Sequence, residues 1–335
     1  MRKIYFLVIV CLLIYGCQPK SKKYNFIHIT GYAQGGTYHI TYENSPGLDL
    51  KDQFDSILNE IDYTLSIYNP KSIISRINRN ENNVTINNLF KTVYNKSVEV
   101  NRNSEGAFDP TVGPLVNLWG FGIKTRTKVK KKQVDNLMPY IGLDKVKMSG
   151  NKVIKKFQQV CLDFNAIAQG FSVDVICRFL DSLKIKNYLV EVGDGEIRTK
   201  GMNPEGKPWK IGIDKPVDGA LPGESIQAIL TLSNKAVATS GDYRKFYIEN
   251  GKKYAHHIDP HTGYPAKQNV LSASIIANDC ITADAYGTAF MVLGLDKSIL
   301  LLGEHPYLDA YLIYSDANGK LREYVTPGAS KILNH

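Results

Sequence analysis

Two stretches hold the residue types best suited to chemistry. The first, AHHIDPHTGYP from Ala255 to Pro265, packs His256, His257, His261, Asp259 and Thr262 around two prolines. Proline removes a backbone donor and restricts the residue before it, so this stretch is a shaped loop and not a regular helix or central strand. A histidine this close to a carboxylate is either a proton acceptor oriented by the acid or half of a structural hydrogen-bonded pair. The second, CITADAYGTAFMVLG from Cys280 to Gly294, sets Asp284 and Thr288 four residues apart. On a helix that spacing aims a carboxylate and a hydroxyl at one point. Hard oxygen donors of this kind suit magnesium completed by phosphate and water. The plainer reading is that Asp284 complements the helix dipole from the first turn.

Two further loops share this character. In LDFNAIAQGFSVD, Asp163 closes an expected strand, and Ala166, Ala168 and Gly170 open a helix. The small residues either present free amides to an anion or let the helix pack closely on a sheet. In VATSGDYRKF, Thr239 to Asp242 form either an anion-holding turn or a hairpin. Oxygen-rich, glycine-flanked loops beside one magnesium-like pair point to pyrophosphate chemistry. No Gly-x-Ser-x-Gly elbow, Walker loop or metalloprotease helix occurs.

These loops need a frame. YNFIHITGYAQGGTYHITY predicts two strands meeting at Gly35 and Gly36, and LKDQFDSILNEIDYTLSIY predicts a helix. A second helix is expected over 88–103, stopped by Gly106, a third from Ile167 to Leu183, and a fourth from Ile281 to Leu293. Strands are expected near QVCLDFN and at YLVEV, WKIGI, IQAILTL, KFYIENGKKYAH, SASIIAN and DAYLIYS. Between the first two helices and the middle of the chain, GAFDPTVGPLVNLWGFG is too rich in Gly and Pro for long regular elements and too aromatic for exposure. It is either a ligand wall or a structural plug. Long strands and few helices favour a layered α+β architecture over a doubly wound parallel sheet.

The 335 residues are 43% hydrophobic and 22% charged, which excludes disorder. The net charge of +9 is densest in KTRTKVKKK, Lys124 to Lys132. That run lacks the interleaved aromatics of a single-strand stacking surface, so it reads as a solvated loop leading into a helix, and no nucleic-acid partner is expected. Arg2, Lys3, the apolar run Ile4 to Ile14 and LIYGC resemble a bacterial lipoprotein signal over residues 1–17, with Cys17 lipidated and residues 18–24 a tether. A plain signal or a single anchor helix is the alternative. The expected location is a lipid-anchored membrane lipoprotein facing the periplasm, with residues 25–335 as one catalytic domain. Cys161, Cys177 and Cys280 match no zinc spacing and no disulfide framework.

Taken in order, AQGGTYHI, SIYNPKSIISRIN, GAFDPTVGPLVNLWGFG, LDFNAIAQGFSVD, VATSGDYRKF, HHIDPHTGYP and TADAYGTAF resemble the ApbE family of FAD:protein FMN transferases. The resemblance implies a T-fold-like α+β fold of mostly antiparallel sheets with packed helices. It also implies an enzyme that splits FAD at its pyrophosphate, passes FMN to a threonine or serine hydroxyl of a target protein and releases AMP. The implied partners are FAD, Mg²⁺ and an acceptor protein such as an electron-transfer subunit of an Rnf or Nqr pump. Carried over by motif, Gln34 and Tyr68 lie near the flavin, Ala107, Phe108 and Asp109 hold the dinucleotide, and Asp163 contacts FAD. The Ala166 carbonyl, Asp284 and Thr288 form the magnesium shell. His256, three before Asp259 and Pro260, is expected to orient or deprotonate the incoming hydroxyl, a role that Asp284 shares or takes. His257, at a usually aliphatic position, and Ile258 belong to the same FAD-holding loop. Gln169 stands where lysine is common, Asp194 separates usually adjacent glycines, and Gly36 replaces a common threonine. Competing readings are an FAD pyrophosphatase giving FMN and AMP, a non-catalytic flavin-binding lipoprotein, and a structural adhesin that binds no FAD.

Overall fold

The computed structural model describes residues 25–334, apart from residues 45, 46, 124–127, 194, 222, 244 and 250, and of Lys252 the backbone alone. The expected signal, tether and lipidated Cys17 lie outside the described residues, as does Asp194. β1 (Phe26–Ala33) and β2 (Gly36–Glu43) are joined by Gln34 at φ 53° and Gly35 at φ 79°. Two successive left-handed residues match the twist of an antiparallel pair, so the GlnGlyGly sequence fixes the hairpin. α1 (Lys51–Leu65) follows and buries Phe54, Leu58, Ile61 and Leu65 along one face. Ser72 caps α2 (Ile73–Asn78) by accepting from the Ser75 amide at 3.1 Å. Asn87 caps α3 (Asn88–Asn103) in the same way from Phe90 at 3.0 Å.

The middle of the chain holds α4 (Gly113–Leu118), α5 (Lys131–Leu137) and a small hairpin of β3 (Val146–Ser149) and β4 (Lys152–Lys155). Then come α6 (Ala168–Ser182), β5 (Tyr188–Val192), β6 (Glu196–Lys200), β7 (Trp209–Asp214), β8 (Ile226–Leu232) and β9 (Ala236–Gly241). β10 (Phe246–Glu249) and β11 (Lys252–Ala255) form a hairpin turned at Gly251, so KFYIENGKKYAH is two strands and not one. The chain closes with β12 (Val270–Ala277), α7 (Cys280–Leu293), α8 (Leu295–Glu304), β13 (Asp309–Ser315), β14 (Leu321–Val325), α9 (Pro327–Ser330) and β15 (Leu333–Asn334).

Eight strands form one antiparallel sheet in the order β1-β2-β5-β6-β9-β12-β13-β14, and β15-β8-β7 form a second. The period of two assigns the faces. On β12, Ile275 points into the core under the helices and Ile276 into the core shared with the small sheet, where it meets Ile211, Leu230 and Ile313. The arrangement is helices on a large antiparallel sheet backed by a small one, which is the α+β class its pattern predicts. α7 is the central helix. Every residue in it is buried except Thr288 and Leu293, so its sequence is apolar on all sides and Asp284 is an exception within a packed interior.

One expected strand is absent. Residues 159–165 do bury Val160, Leu162 and Phe164, with Asp163 among them, but among the described residues their backbone has no strand partner. The Asn78 side chain takes its place, donating to Leu162 O at 2.8 Å and accepting from Leu162 N at 2.8 Å. The Asp163 amide then donates to Pro110 O at 2.7 Å. Buried backbone groups must be paired, and here one amide side chain satisfies both of them.

Candidate active site

The centre is the contact between the first turn of α6 and α7. Gly170 lets the helices meet, because a Cβ there would lie 2.5 Å from Cys280 O and 2.7 Å from the Asp284 Cβ. The Gly170 amide donates to Asp284 Oδ2 at 2.9 Å. That amide is therefore not spent on the carbonyl of Ala166 one turn back, and no other backbone amide among the described residues takes it. Burial pushes the Asp284 carboxyl up to about 7; the Gly170 bond opposes this, and the charge of Asp174 adds to it. Thr288, half-buried, follows one turn later on the same face. A buried carboxylate bonded to a backbone amide, a hydroxyl one turn on and a freed carbonyl are all oxygen donors. These residues fit Mg²⁺.

Asp174, which sequence reasoning passed over, fixes this geometry. It is 1% exposed, and its Oδ1 accepts from the Cys280 amide at 3.0 Å while Oδ2 accepts from Ile281 at 2.9 Å. Arg198 Nη1 donates to Oδ1 at 2.6 Å. One carboxylate thus caps α7 from α6 and neutralises an arginine of β6. The available signal was its position, four residues after Gly170 and on the same helix face.

The glycine turn after β5 lies against the same helix start. A Cβ on Gly193, at φ 86°, would meet the Gln169 amide nitrogen at 2.7 Å, and that nitrogen also faces Gly36. Gln34 Nε2 donates to Ser172 Oγ at 2.6 Å, while its Oε1 is buried without a partner. An orphaned buried acceptor is a place for a ligand donor. Asp163, buried, accepts the Asn165 amide at 2.9 Å, and burial lifts its carboxyl to about 6. Asn165 in turn donates to the hydroxyl of Tyr68 at 3.4 Å, and the Tyr68 side chain stands 59% exposed.

The loop 106–123 is as buried as its aromatics require. Ala107 and Phe108 are buried, with Phe108 in the main core, and Asp109 turns its carboxylate inward. Its Oδ1 accepts Thr111 N at 2.7 Å and its Oδ2 accepts Leu143 N at 3.1 Å. Asp109 therefore holds the loop together. A cleft of about 380 Å³ opens beside it, lined by Arg102, Gly106, Asp109, Gly142, Lys145 and His261. Trp119 Nε1 donates to Gly263 O at 2.9 Å, tying this loop to AHHIDPHTGYP.

That loop divides its histidines. Asp259 serves the turn itself, accepting from His261 N at 2.9 Å and Thr262 Oγ1 at 2.9 Å. Ile258 is buried beside Leu115 and Trp119 and bridges to Pro265. His257, also buried, takes its carboxylate from β9's end: its Nδ1 donates to Asp242 Oδ1 at 2.6 Å. His256 Nδ1 donates to Lys245 O at 3.2 Å, which leaves the Nε2 lone pair free. Burial, with the neighbouring His257 and Lys245 charges, holds His256 well below its ordinary value and so neutral. β9 connects the two halves of the site. A Cβ on Gly287 of α7 would meet Ser240 Oγ at 2.7 Å, so β9 passes Asp284 and Thr288 two residues before it reaches Asp242.

Fold and site together define an α+β protein with a buried carboxylate and a half-buried hydroxyl one turn apart on its central helix and a neutral histidine on a flanking loop. The chain belongs to the ApbE family, whose model matches residues 34–312. It is 37% identical over 338 residues to a Haemophilus influenzae protein named FAD:protein FMN transferase, covering 96% of this chain and 94% of that one. A Vibrio cholerae protein of the same name is 34% identical, with 96% of each chain covered. The solved flavin transferase ApbE from Vibrio cholerae superposes with a TM-score of 0.83 at 33% identity, over 92% of this chain and 99% of that one. Among the described residues, no helix is long and apolar enough to cross a membrane.

Proposed function

We propose that the protein transfers FMN from FAD to a threonine or serine hydroxyl of an acceptor protein, with Mg²⁺, and releases AMP. The observation that carries this is the diversion of the Gly170 amide to Asp284, which leaves the Ala166 carbonyl, one turn back, without a backbone donor among the described residues, while Thr288 follows Asp284 by one turn of α7. Those three residues would hold the cation, which when bound supplies charge neutralisation for the pyrophosphate. Asp284, lifted to about 7 by burial, is poised to become fully ionic once a cation compensates it.

His256, neutral and held by the Lys245 carbonyl, accepts the proton of the incoming hydroxyl at Nε2. The hydroxyl oxygen then bonds to the FMN phosphorus, the phosphoanhydride bond breaks, and AMP departs with its electron pair. Position and charge stabilisation carry most of such a reaction. Gln34, with its unpartnered Oε1, and the exposed ring of Tyr68 offer a polar contact and a stacking face for the flavin.

Electron-transfer subunits of Rnf or Nqr type are the proposed acceptors, and the basic and apolar start of the chain supports a lipid anchor at Cys17 facing the periplasm. AMP release from FAD measured with and without Mg²⁺ tests the chemistry. Wild type should turn over only with the metal, and Asp284→Ala should be silent; equal turnover by both would sink the proposal.

A further inference from the structure

We propose that Asp242, His256 and His257 form a second cation site, suited to a borderline-soft divalent ion such as zinc. One nitrogen or oxygen from each of the three side chains lies within 4.8 Å of the others. Adjacent residues of an extended strand point to opposite sides. Here the chain bends as β11 ends, and the two imidazoles come to lie with ring centroids 4.0 Å apart. Each ring is also held from outside the loop, His256 by the Lys245 carbonyl and His257 by Asp242. The pair is therefore pre-arranged.

The donor chemistry separates this cluster from the pair on α7. Two imidazoles and one carboxylate suit zinc, nickel or copper, and three protein ligands leave a position for water. The all-oxygen set of Ala166, Asp284 and Thr288 suits a hard ion. A cation would take the place of the hydrogen bond between His257 Nδ1 and Asp242 Oδ1, 2.6 Å apart, with the single imidazole proton moving from Nδ1 to Nε2. Since His256 Nδ1 is engaged by Lys245 O, its ligand atom is Nε2. Occupancy then removes the lone pair that accepts the substrate proton, so such an ion inhibits transfer. That consequence rests on the transferase reading; the site itself does not.

The test is a Co²⁺ titration of the full-length protein in excess Mg²⁺, followed by visible d–d absorption. Wild type should gain the intense absorption of a four- or five-coordinate site at one equivalent, bleached by Zn²⁺. His257→Leu should lose it, and so should His257→Gln, which keeps a donor toward Asp242 if leucine disturbs the packing. Asp242→Asn should bind at least roughly 10-fold more weakly, since loss of even an outer-shell partner costs that much and Asp242 ligates directly. No absorption in wild type, or absorption unchanged in the two His257 variants, overturns the site. A cobalt band in a protein that shows no FMN transfer would uphold the site and count only against the transferase reading.

Discussion

The Gly170 amide and the Asp284 carboxylate, 2.9 Å apart across the α6 and α7 contact, are the structural hinge of the site. The bond gives a deeply buried carboxylate one hydrogen-bond donor, and it withdraws a helical donor from Ala166. The start of α6 thereby keeps a carbonyl that no backbone amide among the described residues takes.

Gly170→Ala should break this arrangement. The added methyl would sit 2.5 Å from Cys280 O, so the helices must separate. Overpacking of this kind costs about 1–3 kcal/mol, and displacement of the metal donors should lower turnover by about 10²-fold. Urea unfolding and AMP release check the two effects, and wild-type behaviour in both would contradict the close-packing account.

Asp284→Asn separates stability from activity. Removing a carboxyl that burial pushes up to about 7 should leave the metal-free protein at least as stable as wild type at pH 8. Turnover should fall by at least about 10²–10³-fold, the scale of losing a preorganised electrostatic contact. Thermal melts without Mg²⁺, set beside turnover with it, show whether both hold.

Asp174→Ala should be the most damaging single change to the fold near the site. It removes the cap from two α7 amides and leaves the Arg198 guanidinium without its carboxylate. Breaking one side of a buried pair costs about 3–5 kcal/mol. A variant that unfolds at the wild-type denaturant midpoint would show that Asp174 does not hold the two helices together.

Asp163 gives the protein a pH-dependent cost. Burial lifts its carboxyl from 3.8 to about 6. Between those values the folded chain binds more protons than the unfolded one, so this contribution falls as pH rises through the window and is lowest above it. At about 1.4 kcal/mol per pH unit the cost is of order 3 kcal/mol at neutral pH. Asparagine can still accept from the Asn165 amide. Asp163→Asn should therefore melt above wild type at pH 8 and converge with it near pH 4, whereas a pH-independent difference would rule out this origin.

His256→Ala should slow transfer by about 10²–10⁴-fold, the worth of one proton-transfer group. Chelating the metal should cost more, because it removes charge neutralisation from the whole pyrophosphate. Turnover rates for the variant, and for wild type in chelator, give the order of the two effects.

Much of the frame was legible because apolar spacing survives in it: α3, α7 and the first hairpin sit where periodicity and the Gly35 turn predict them. The segment 159–165 shows where that logic stops. Alternation reports which side chains are buried, and Val160, Leu162 and Phe164 are, but it does not reveal that the Asn78 side chain stands in for a strand. At the site, the Asp284 and Thr288 face was readable from a four-residue spacing. The partner of His257 was not. The nearby Asp259 serves the turn, and Asp242, fifteen residues earlier, supplies the carboxylate. Asp174 was hidden for the same reason, since its partners Cys280 and Ile281 lie more than a hundred residues away.

The most direct test is the intact mass of a candidate acceptor domain after incubation with the protein, FAD and Mg²⁺. The account predicts a gain of one FMN phosphoester, absent without metal and lost when the acceptor threonine becomes alanine. An unmodified acceptor with AMP and free FMN in solution would contradict it in favour of hydrolysis, and intact FAD would leave only a flavin-binding protein.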